Sequence, residues 1–386
     1  MSEKRIAFLT NSVLTFGGEQ RVLALLANGL SERYDITIYT EDSPATSQNP
    51  YNLSEKVHVK FFKPFKAGVF IKAIRLILKF PILKKLRDFE FTWYITHYNP
   101  ILTKRLKNLL APEKYDAIVA LSDRLSLLLG LTAKRGLNSK IIAWEHNSFE
   151  CYFRIPNDCL WKQDNLFIRA AKNFDECIVL NEDYSEKYKK HLGIDSKVIY
   201  NPRSFTSEKK SALENKTIIT CCRLSIQTKG LDMLIESFDL FSKKNSDWLL
   251  QIVGAGNDRK KIEEMIQEKN LQERIKLLGY RSDVKDLLLA SSIFVLPSRW
   301  EGFPMSLTEA YECGLPTVFF DIPATIPFRR NGSALTAKAF DTQDFADKML
   351  TLAEDIALRK EMGRNAAEFA KTLSVENFIE KWLEVI

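Results

Sequence analysis

Short runs of apolar and β-branched residues alternate along the whole chain with segments whose apolar residues recur every three or four positions. The runs predict buried β-strands, and the recurring spacing predicts helices with one face in a core. Regular alternation of the two is typical of βαβ units and parallel sheets. In the first half the predicted strands are Arg5–Thr10, Ile36–Thr40, Val57–Phe61, Ala117–Leu121, Lys140–Trp144, Glu176–Leu180 and Val198–Tyr200, with a helix at Gln20–Leu30.

The same alternation restarts after a polar stretch without periodicity, 201–215, which indicates a linker between two domains. The predicted strands beyond it are Thr217–Cys222, Leu249–Val253, Ile275–Leu278, Ile293–Leu296 and Thr317–Phe320. The predicted helices are Gly230–Phe241, Asp258–Lys269, Ser306–Cys313, Phe345–Ala353 and Val375–Ile386.

We therefore expect a first domain over 1–200, a second over 216–370 and a C-terminal helix within 371–386. Packing of that helix back against the first domain is one arrangement open to it. Each domain is expected to be a doubly wound, Rossmann-like α/β unit, with the two facing each other across a cleft. Folds of this class bind ligands at the carboxyl ends of their parallel strands.

Composition excludes several classes of protein. With 386 residues, 45% of them hydrophobic and 27% charged, the chain has apolar material for two cores and is not disordered or fibrous. No apolar run reaches the roughly 18–20 residues of a membrane-spanning helix, and the N-terminus lacks the apolar core of a signal peptide. The six cysteines form no C-x-x-C pair and no zinc spacing with the four histidines, so we expect a cytoplasmic protein without bound metal.

The net charge of +7 is concentrated in one window. The segment from Lys60 to Lys107 contains twelve lysines and arginines and only two acids, so its net charge is +10 and that of the remaining chain is −3. Lys72, Arg75 and Lys79 would form a narrow cationic stripe on a largely apolar helix, which is typical of helices that lie on an anionic membrane surface. A buried helix with three cations reaching to solvent, or direct binding of an acceptor's diphosphate, are the alternatives. Nucleic acid is not expected, because no nucleic-acid-binding fold accompanies the charge.

Two glycine motifs follow predicted strands. Gly17 and Gly18 precede the first helix, where paired glycines let the backbone approach an anion at a helix N-terminus. A tight turn without a ligand explains them equally well. Gly254 lies in Val-Gly-Ala-Gly after another strand, but Arg259 takes the third glycine position of the dinucleotide fingerprint.

Arg223 and Lys229 lie between a strand end and the helix that begins at Gly230. A guanidinium and an ammonium at such a junction suit a diphosphate. The alternative is a pair of surface cations at a turn.

Two glutamates eight residues apart, Glu301 and Glu309, span a junction between a loop and a helix. A carboxylate in the loop can meet sugar hydroxyls, and one in the first turns of the helix can accept hydrogen bonds from a ribose. A capping box, with Ser306 as N-cap and Glu309 as its partner, is the structural alternative for Glu309. It leaves Glu301, Gly302 and Pro304 unexplained.

His146 follows an apolar strand and lies at the carboxyl end of the first domain's sheet. We expect it to contact a sugar or a phosphate. A histidine that merely makes a structural hydrogen bond is the alternative.

Taken in order, these motifs resemble those of the family 4 retaining glycosyltransferases with the GT-B fold, the group 1 type. Gly17-Gly18-Glu19-Gln20-Arg21 resembles the family's G-G-x-E-R opening, and Glu145-His146-Asn147 its histidine loop. Val198-Ile199-Tyr200-Asn201-Pro202 resembles the V-I-x-N-P run that ends the first domain. Arg223 with Lys229 resembles the diphosphate pair, and Glu301 to Glu309 the E-x7-E motif.

The resemblance implies a retaining transfer of a sugar from a nucleotide-sugar, most simply a UDP-sugar, to a lipid-linked or cell-surface glycan. Arg223 and Lys229 would hold the diphosphate, Glu309 the ribose and Glu301 the transferred sugar. Gly17, Gly18 and Gly254, together with Gly302, Phe303 and Pro304, would add backbone contacts to the nucleotide-sugar. The first domain would serve the acceptor, at the inner face of the cell membrane. No metal and no other cofactor is expected, and the absence of a D-x-D motif agrees.

The chain departs from the family pattern at two places. Gln20 replaces the usual acid, and Asp321–Arg330 replaces the family's G-P-x-E-x-I stretch, so contacts of that loop are not carried over. A GDP- or ADP-sugar donor, a soluble acceptor, or a non-catalytic partner subunit stay open as alternatives.

Overall fold

The computed structural model describes residues 4–46, 49–62, 76–77, 90–156, 159–329 and 331–386. The chain forms two compact units, one from Met1–Tyr200 with Phe378–Ile386 and the other from Asn201–Asn377. Lys72, Arg75 and Lys79, the predicted cationic stripe, lie outside the described residues.

The first unit contains a sheet of parallel strands in the order β3-β2-β1-β4-β5-β6-β7. The central strands are buried along nearly their whole length because helices cover both faces of a parallel sheet. The strands are β1 Arg5–Thr10, β2 Asp35–Thr40, β3 Val57–Phe61, β4 Ala117–Leu121, β5 Lys140–Trp144, β6 Glu176–Val179 and β7 Lys197–Val198. The described helices are α1 Gly18–Leu30, α2 Glu90–His97, α3 Pro100–Leu110, α4 Asp123–Ala133, α5 Phe149–Phe153, α6 Asp164–Ala171 and α7 Glu182–Lys187, the last followed by a π-helical turn at Tyr188–Leu192.

The second unit contains a second parallel sheet in the order β10-β9-β8-β11-β12-β13. The predicted fold class, two doubly wound α/β units, is confirmed, although the edge strand β13 was not predicted. The strands are β8 Thr217–Cys221, β9 Leu249–Val253, β10 Ile275–Gly279, β11 Ile293–Leu296, β12 Thr317–Phe320 and β13 Ala334–Ala337. The helices are α8 Ile226–Lys229, α9 Leu231–Lys244, α10 Arg259–Glu268, α11 Val284–Leu289, α12 Met305–Glu312, α13 Ile326–Arg329, α14 Thr342–Glu354, α15 Ile356–Thr372 and α16 Val375–Leu383.

Each sheet has a point where the strand order reverses, between β1 and β4 in the first unit and between β8 and β11 in the second. Helices leave on opposite faces at such a point and open a crevice at the carboxyl ends of the strands. The loops after β1 and β4 carry Gly17 and Ser122, and those after β8 and β11 carry Arg223 and Glu301. The topology therefore places the candidate site residues at the ligand-binding edge of their own sheets.

The end of helix α16 belongs to the first unit. Its Trp382 ring lies 4.6 Å from the Trp144 ring and its Phe378 ring lies 6.2 Å from it. Helix α1 passes so close that a Cβ on Gly29 would lie 2.0 Å from the Ile379 side chain. A glycine at this position is what lets the two helices approach.

The segment 201–215, predicted as a linker, is fastened within the second unit. Arg203 and Lys210 form ion pairs with Glu312 of α12, at 2.6 and 2.9 Å, and the Glu312 side chain is only 3% exposed. The Ser207 backbone N–H donates to the same carboxylate at 2.8 Å. Two of the polar side chains in this segment therefore stabilise a buried carboxylate of the second unit.

Candidate active site

Lys229 and Glu301 form the centre of the candidate site in the second unit. The Lys229 Nζ lies 2.6 Å from Oε1 and 2.7 Å from Oε2 of Glu301. Both side chains are mostly buried, at 20% and 11% exposure, so the pair is less screened than a surface ion pair. The structure thus brings together two of the predicted site residues, which lie 72 positions apart in the chain.

The loop that carries Glu301 is held by contacts within itself and with helices α8 and α9, which the sequence did not reveal. Ser298 Oγ donates to Glu301 Oε1 at 2.7 Å, and the Arg299 backbone N–H donates to the Thr228 carbonyl at 2.9 Å. The Arg299 guanidinium contacts both carboxylate oxygens of Asp232 at 2.8 and 2.6 Å. Burial would raise the pKa of Asp232, but this guanidinium holds it below its usual value. Such fork-shaped pairing fixes direction as well as charge.

Two glycines let the backbone segments of this site approach each other. Gly230 has φ +61°, and a Cβ there would lie 2.0 Å from the Pro297 carbonyl oxygen. Gly254 has φ +142°, and a Cβ there would lie 1.8 Å from the Cys222 carbonyl oxygen. Packing against the end of β8 is thus reason enough for a glycine at 254, and its contact with a nucleotide stays a prediction.

Arg223 lies at the same strand end with an exposed side chain. Its backbone carbonyl accepts a hydrogen bond from the Ser225 N–H at 2.8 Å, which tightens the turn into α8. The guanidinium is accessible to a ligand, and its binding of a diphosphate stays a prediction.

Helix α12 begins at Met305, with Pro304 as its N-cap in an extended conformation and no side-chain cap. The capping box considered for Ser306 and Glu309 is therefore not formed. Glu309 lies in the second turn with 7% exposure, close enough to Cys221 to help burial raise the pKa of that thiol. Its carboxylate thus lies near the end of β8.

The residues between Glu301 and the helix are packed into the second unit. Gly302, Phe303 and Pro304 are all buried, and the Phe303 ring lies 5.2 Å from the Phe328 ring. Phe328 belongs to the atypical segment 321–330, so this segment packs against the loop that follows Glu301. The backbone contacts expected of these three residues stay predictions.

In the first unit the backbone of the predicted glycine turn is hydrogen-bonded to another part of the chain. Gly17 is the N-cap of α1, and its N–H donates to the Tyr51 hydroxyl at 2.7 Å. Its φ of 175° is ordinary extended backbone, and a Cβ would meet only the flexible Gln20 side chain. The backbone conformation therefore does not require a glycine at position 17. Anion binding by Gly17 and Gly18 stays a prediction.

Glu19, next to Gly18 in the chain, is a half-buried residue at the start of helix α1. Ser122 Oγ donates to its Oε2 at 2.6 Å, joining the loops after β1 and β4. Burial raises the pKa of Glu19.

His146 follows β5 and is held from two sides. Its ring lies 4.2 Å from the Trp144 ring, and its backbone N–H donates to the Tyr152 hydroxyl at 3.1 Å. Burial lowers the pKa of His146 to about 3, so the imidazole is neutral at physiological pH. Its buried Nε2 has no hydrogen-bond partner among the residues that the structure describes. The contact of His146 with a sugar or a phosphate stays a prediction.

Two further observations concern possible ligands. In the described part of the chain no group of three or more His, Cys, Asp or Glu side chains is arranged to hold a metal ion. Across the same residues, no helix has the length and apolar character that crossing a bilayer requires.

Two family models match consecutive parts of the chain. Residues 16–204 match "Glycosyltransferase Family 4", and residues 203–369 match "Glycosyl transferases group 1". The chain therefore belongs to the group 1, family 4-like glycosyltransferases with the GT-B fold, and it is a glycosyltransferase.

Known relatives agree with this assignment. An uncharacterized glycosyltransferase of Haemophilus influenzae is 25% identical over 99% of this chain and 100% of its own length. The UDP-Gal:α-D-GlcNAc-diphosphoundecaprenol α-1,3-galactosyltransferase of Escherichia coli is 29% identical over 56% of this chain and 60% of its own. HepE of Anabaena, solved in complex with UDP, has the same fold, with a TM-score of 0.76 at 19% identity over 99% of both chains.

Proposed function

We propose that the protein transfers a sugar from a UDP-sugar to a lipid-linked or cell-surface polysaccharide acceptor, with retention of the anomeric configuration. The E. coli relative takes its sugar from a UDP donor and acts on a diphosphoundecaprenol acceptor, and the similarly folded HepE was solved with UDP. Both point to a uridine nucleotide, and the first also to a lipid-linked acceptor.

The observation that carries the proposal is the contact of Lys229 with both oxygens of Glu301. A cation and an acceptor of hydrogen bonds are held side by side at the ligand-binding edge of a parallel sheet. This pair suits the two chemically different halves of a nucleotide-sugar. We propose that Lys229 contacts the diphosphate while Glu301 accepts hydrogen bonds from hydroxyls of the sugar attached to it.

The cations at this strand end have an electrostatic role in the reaction. The bond between the anomeric carbon and the diphosphate oxygen breaks, and negative charge develops on the departing nucleoside diphosphate. Lys229 and Arg223 stabilise that charge, because preorganised cations act most strongly where charge develops in the transition state.

The acceptor hydroxyl forms the new bond to the anomeric carbon on the face that the diphosphate leaves. Its proton passes to the leaving phosphate oxygen, so atoms and charge balance without a separate protein base. Glu309 holds the ribose, and His146 contacts sugar or phosphate through its neutral ring. No metal or other cofactor takes part in this scheme.

The proposal of a membrane-bound acceptor rests on the charge distribution along the chain. The window from Lys60 to Lys107 carries +10, and we propose that Lys72, Arg75 and Lys79 lie on an anionic membrane surface, where a lipid-linked acceptor is presented. The protein would then act as a peripheral protein on the cytoplasmic face, without binding nucleic acid.

A transfer assay tests this function. Purified protein is incubated with labelled UDP-sugars, or with GDP- and ADP-sugars, and with a polyprenyl-diphosphate-linked or a soluble oligosaccharide. We expect label in the lipid-linked product from a UDP-sugar only, with an anomeric configuration by NMR equal to that of the donor. Label only from another nucleotide, only in the soluble acceptor, or in an inverted product would contradict the respective part of the proposal.

A further inference from the structure

Lys229, the cation proposed to hold the diphosphate, is already paired with a carboxylate. Its Nζ lies 2.6 and 2.7 Å from the two carboxylate oxygens of Glu301. An ammonium group has three N–H donors, and this one donates to both oxygens of the same carboxylate. A diphosphate that binds to Lys229 therefore has to compete with Glu301 or share the ammonium group with it.

The Glu301 carboxylate is also held independently of Lys229. Ser298 Oγ donates to its Oε1 at 2.7 Å, and Ser298 is only 1% exposed. The Glu301 side chain is 11% exposed, so little water reaches it to screen its charge. A diphosphate on Lys229 thus lies next to a negative charge that is fixed in place, and like charges in a poorly screened place repel each other strongly.

A second cation of the same loop is neutralised as well. The Arg299 guanidinium contacts both carboxylate oxygens of Asp232, at 2.8 and 2.6 Å. The two ion pairs therefore bring no net charge to the site, and the exposed guanidinium of Arg223 adds one positive charge at the end of β8. A free nucleoside diphosphate, which carries several negative charges at neutral pH, is poorly matched by this arrangement.

A sugar attached to the diphosphate changes the balance. Its hydroxyl groups donate hydrogen bonds, which a carboxylate accepts. A UDP-sugar thus offers Glu301 new donors in return for its share of Lys229, whereas the terminal phosphate of UDP offers it only further negative charge. A site can select one ligand by what it sets against the other, as well as by what it offers the first.

We infer that Glu301 is a specificity residue that selects the sugar-bearing donor over the free nucleoside diphosphate. It competes with the diphosphate for Lys229 unless sugar hydroxyls bind to its carboxylate. The same competition favours release of the nucleoside diphosphate after transfer. The inference rests on the proposed function for the identity of the donor, and the competition itself is measured without any acceptor.

Equilibrium binding tests the inference, with UDP and the UDP conjugates of glucose, galactose and N-acetylglucosamine as probes. The variant E301Q keeps the shape of the side chain and removes its charge. We expect E301Q to bind UDP about tenfold more tightly than the wild type does, because one fixed negative charge is gone. It should bind the conjugate that the wild type prefers no more tightly, so the preference for the sugar falls by about tenfold.

Further variants show whether the gain depends on Lys229. E301Q/K229A should lose the tighter UDP binding, because the released cation is absent. The matched control is E368Q, because Glu368 also pairs with a lysine of the second unit, Lys371, at 2.6 Å, and its replacement changes the net charge equally. This control should bind UDP as the wild type does. Melting temperatures without ligand show which variants fold, and E301A, which also frees Lys229, takes the place of E301Q if that variant unfolds.

The outcomes separate this inference from the proposed function. Equal UDP affinity of E301Q and wild type, an equal preference for the sugar conjugates in both, or a gain that E301Q/K229A or E368Q shares overturns the inference. If the wild type transfers no sugar while the binding result holds, the proposed function fails and the inference stands. Transfer by the wild type together with unchanged UDP binding in E301Q means that the proposed function stands and the inference fails.

Discussion

The Lys229 ammonium donates hydrogen bonds to both carboxylate oxygens of Glu301, and Ser298 Oγ donates a third to the same carboxylate. The carboxylate is thus oriented by Lys229 of helix α8 and by Ser298 of the loop after β11. Each charge of the pair limits the energetic cost of burying the other. Because the proposed roles of the two side chains differ, the effects of replacing them should differ as well.

Replacing Glu301 by alanine should strongly reduce transfer while the fold survives. The sugar loses a hydrogen-bond acceptor held by three donors, and loss of one such preorganised contact costs roughly 10²–10³-fold in turnover. Lys229 is 20% exposed and can reach water once its partner is gone. Turnover and the melting temperature are measured together. Glu273→Ala, at a glutamate with 94% exposure, is the control and should change neither, whereas undiminished turnover of Glu301→Ala would reject the assigned role.

His146 should lower the stability of the folded protein in acid. Its folded pKa lies near 3 and its ordinary value is 6.5, so below about pH 6.5 the unfolded chain takes up a proton that the folded chain refuses. The free energy of unfolding should therefore fall by up to about 1.4 kcal/mol per pH unit as the pH drops from 6.5 towards 3.

Urea unfolding at about pH 6.5 and about pH 5 measures the stability that is lost between these pH values. The loss should be smaller in His146→Gln than in the wild type, by up to about 2 kcal/mol. His58, with 65% side-chain exposure, is the matched control, and His58→Gln should keep the wild-type slope. Equal acid sensitivity of His146→Gln and wild type would show that the ring is not buried in its neutral form.

The ion pairs of Glu312 should be essential to the second unit. Arg203→Ala removes one cation from a carboxylate that is 3% exposed, and breaking a buried pair costs about 3–5 kcal/mol. Lys210 still contacts Glu312, so we expect the lower end of this range. Lys216→Ala removes a surface pair with Asp247, in which both side chains are more than half exposed, and should leave the free energy of unfolding nearly unchanged. Chemical unfolding of both variants checks the contrast, and equal losses would contradict it.

Membrane binding should depend on the cationic stripe. If Lys72, Arg75 and Lys79 each contribute about 1 kcal/mol, replacing all three by alanine should weaken binding to anionic vesicles by roughly 100-fold. Cosedimentation with vesicles measures it. The control replaces three exposed lysines elsewhere, Lys243, Lys260 and Lys371, and should bind as the wild type does. The membrane role of the stripe fails if the wild type does not bind or if the stripe variant binds equally well.

The sequence predicted the architecture because parallel strands and their covering helices have strong local patterns. Buried runs such as Ile6–Leu9 and helical spacing such as that of Gln20–Leu30 are visible without knowledge of the fold. Strand β13 was missed because Ala334–Ala337 is short and only partly buried. The contacts of the segment 201–215 with Glu312 could not be predicted, because that buried carboxylate lies about a hundred residues away in the chain.

The sequence predicted those site residues whose type alone indicates a chemical role. It did not predict residues whose role depends on their contacts in the fold. Lys229 and Glu301 could be singled out by type and position, but Asp232 and Ser298 acquire meaning only through the fold. The capping alternative for Glu309 depended on where α12 begins, and the N-cap is Pro304, two residues before Ser306.

Thermal unfolding of the wild type with UDP, GDP or ADP, alongside Lys229→Ala, tests the central claim most directly. At 100 times its dissociation constant a nucleotide adds about 2.7 kcal/mol to the free energy of unfolding, which corresponds to a shift of roughly 3 °C for a chain of this size. Lys216→Ala is the control, because its lysine lies in a surface ion pair of the same unit. We predict a shift with UDP alone, kept in Lys216→Ala and lost in Lys229→Ala. No shift with any nucleotide up to millimolar concentration, or an equal shift in Lys229→Ala, would contradict a diphosphate site at Lys229.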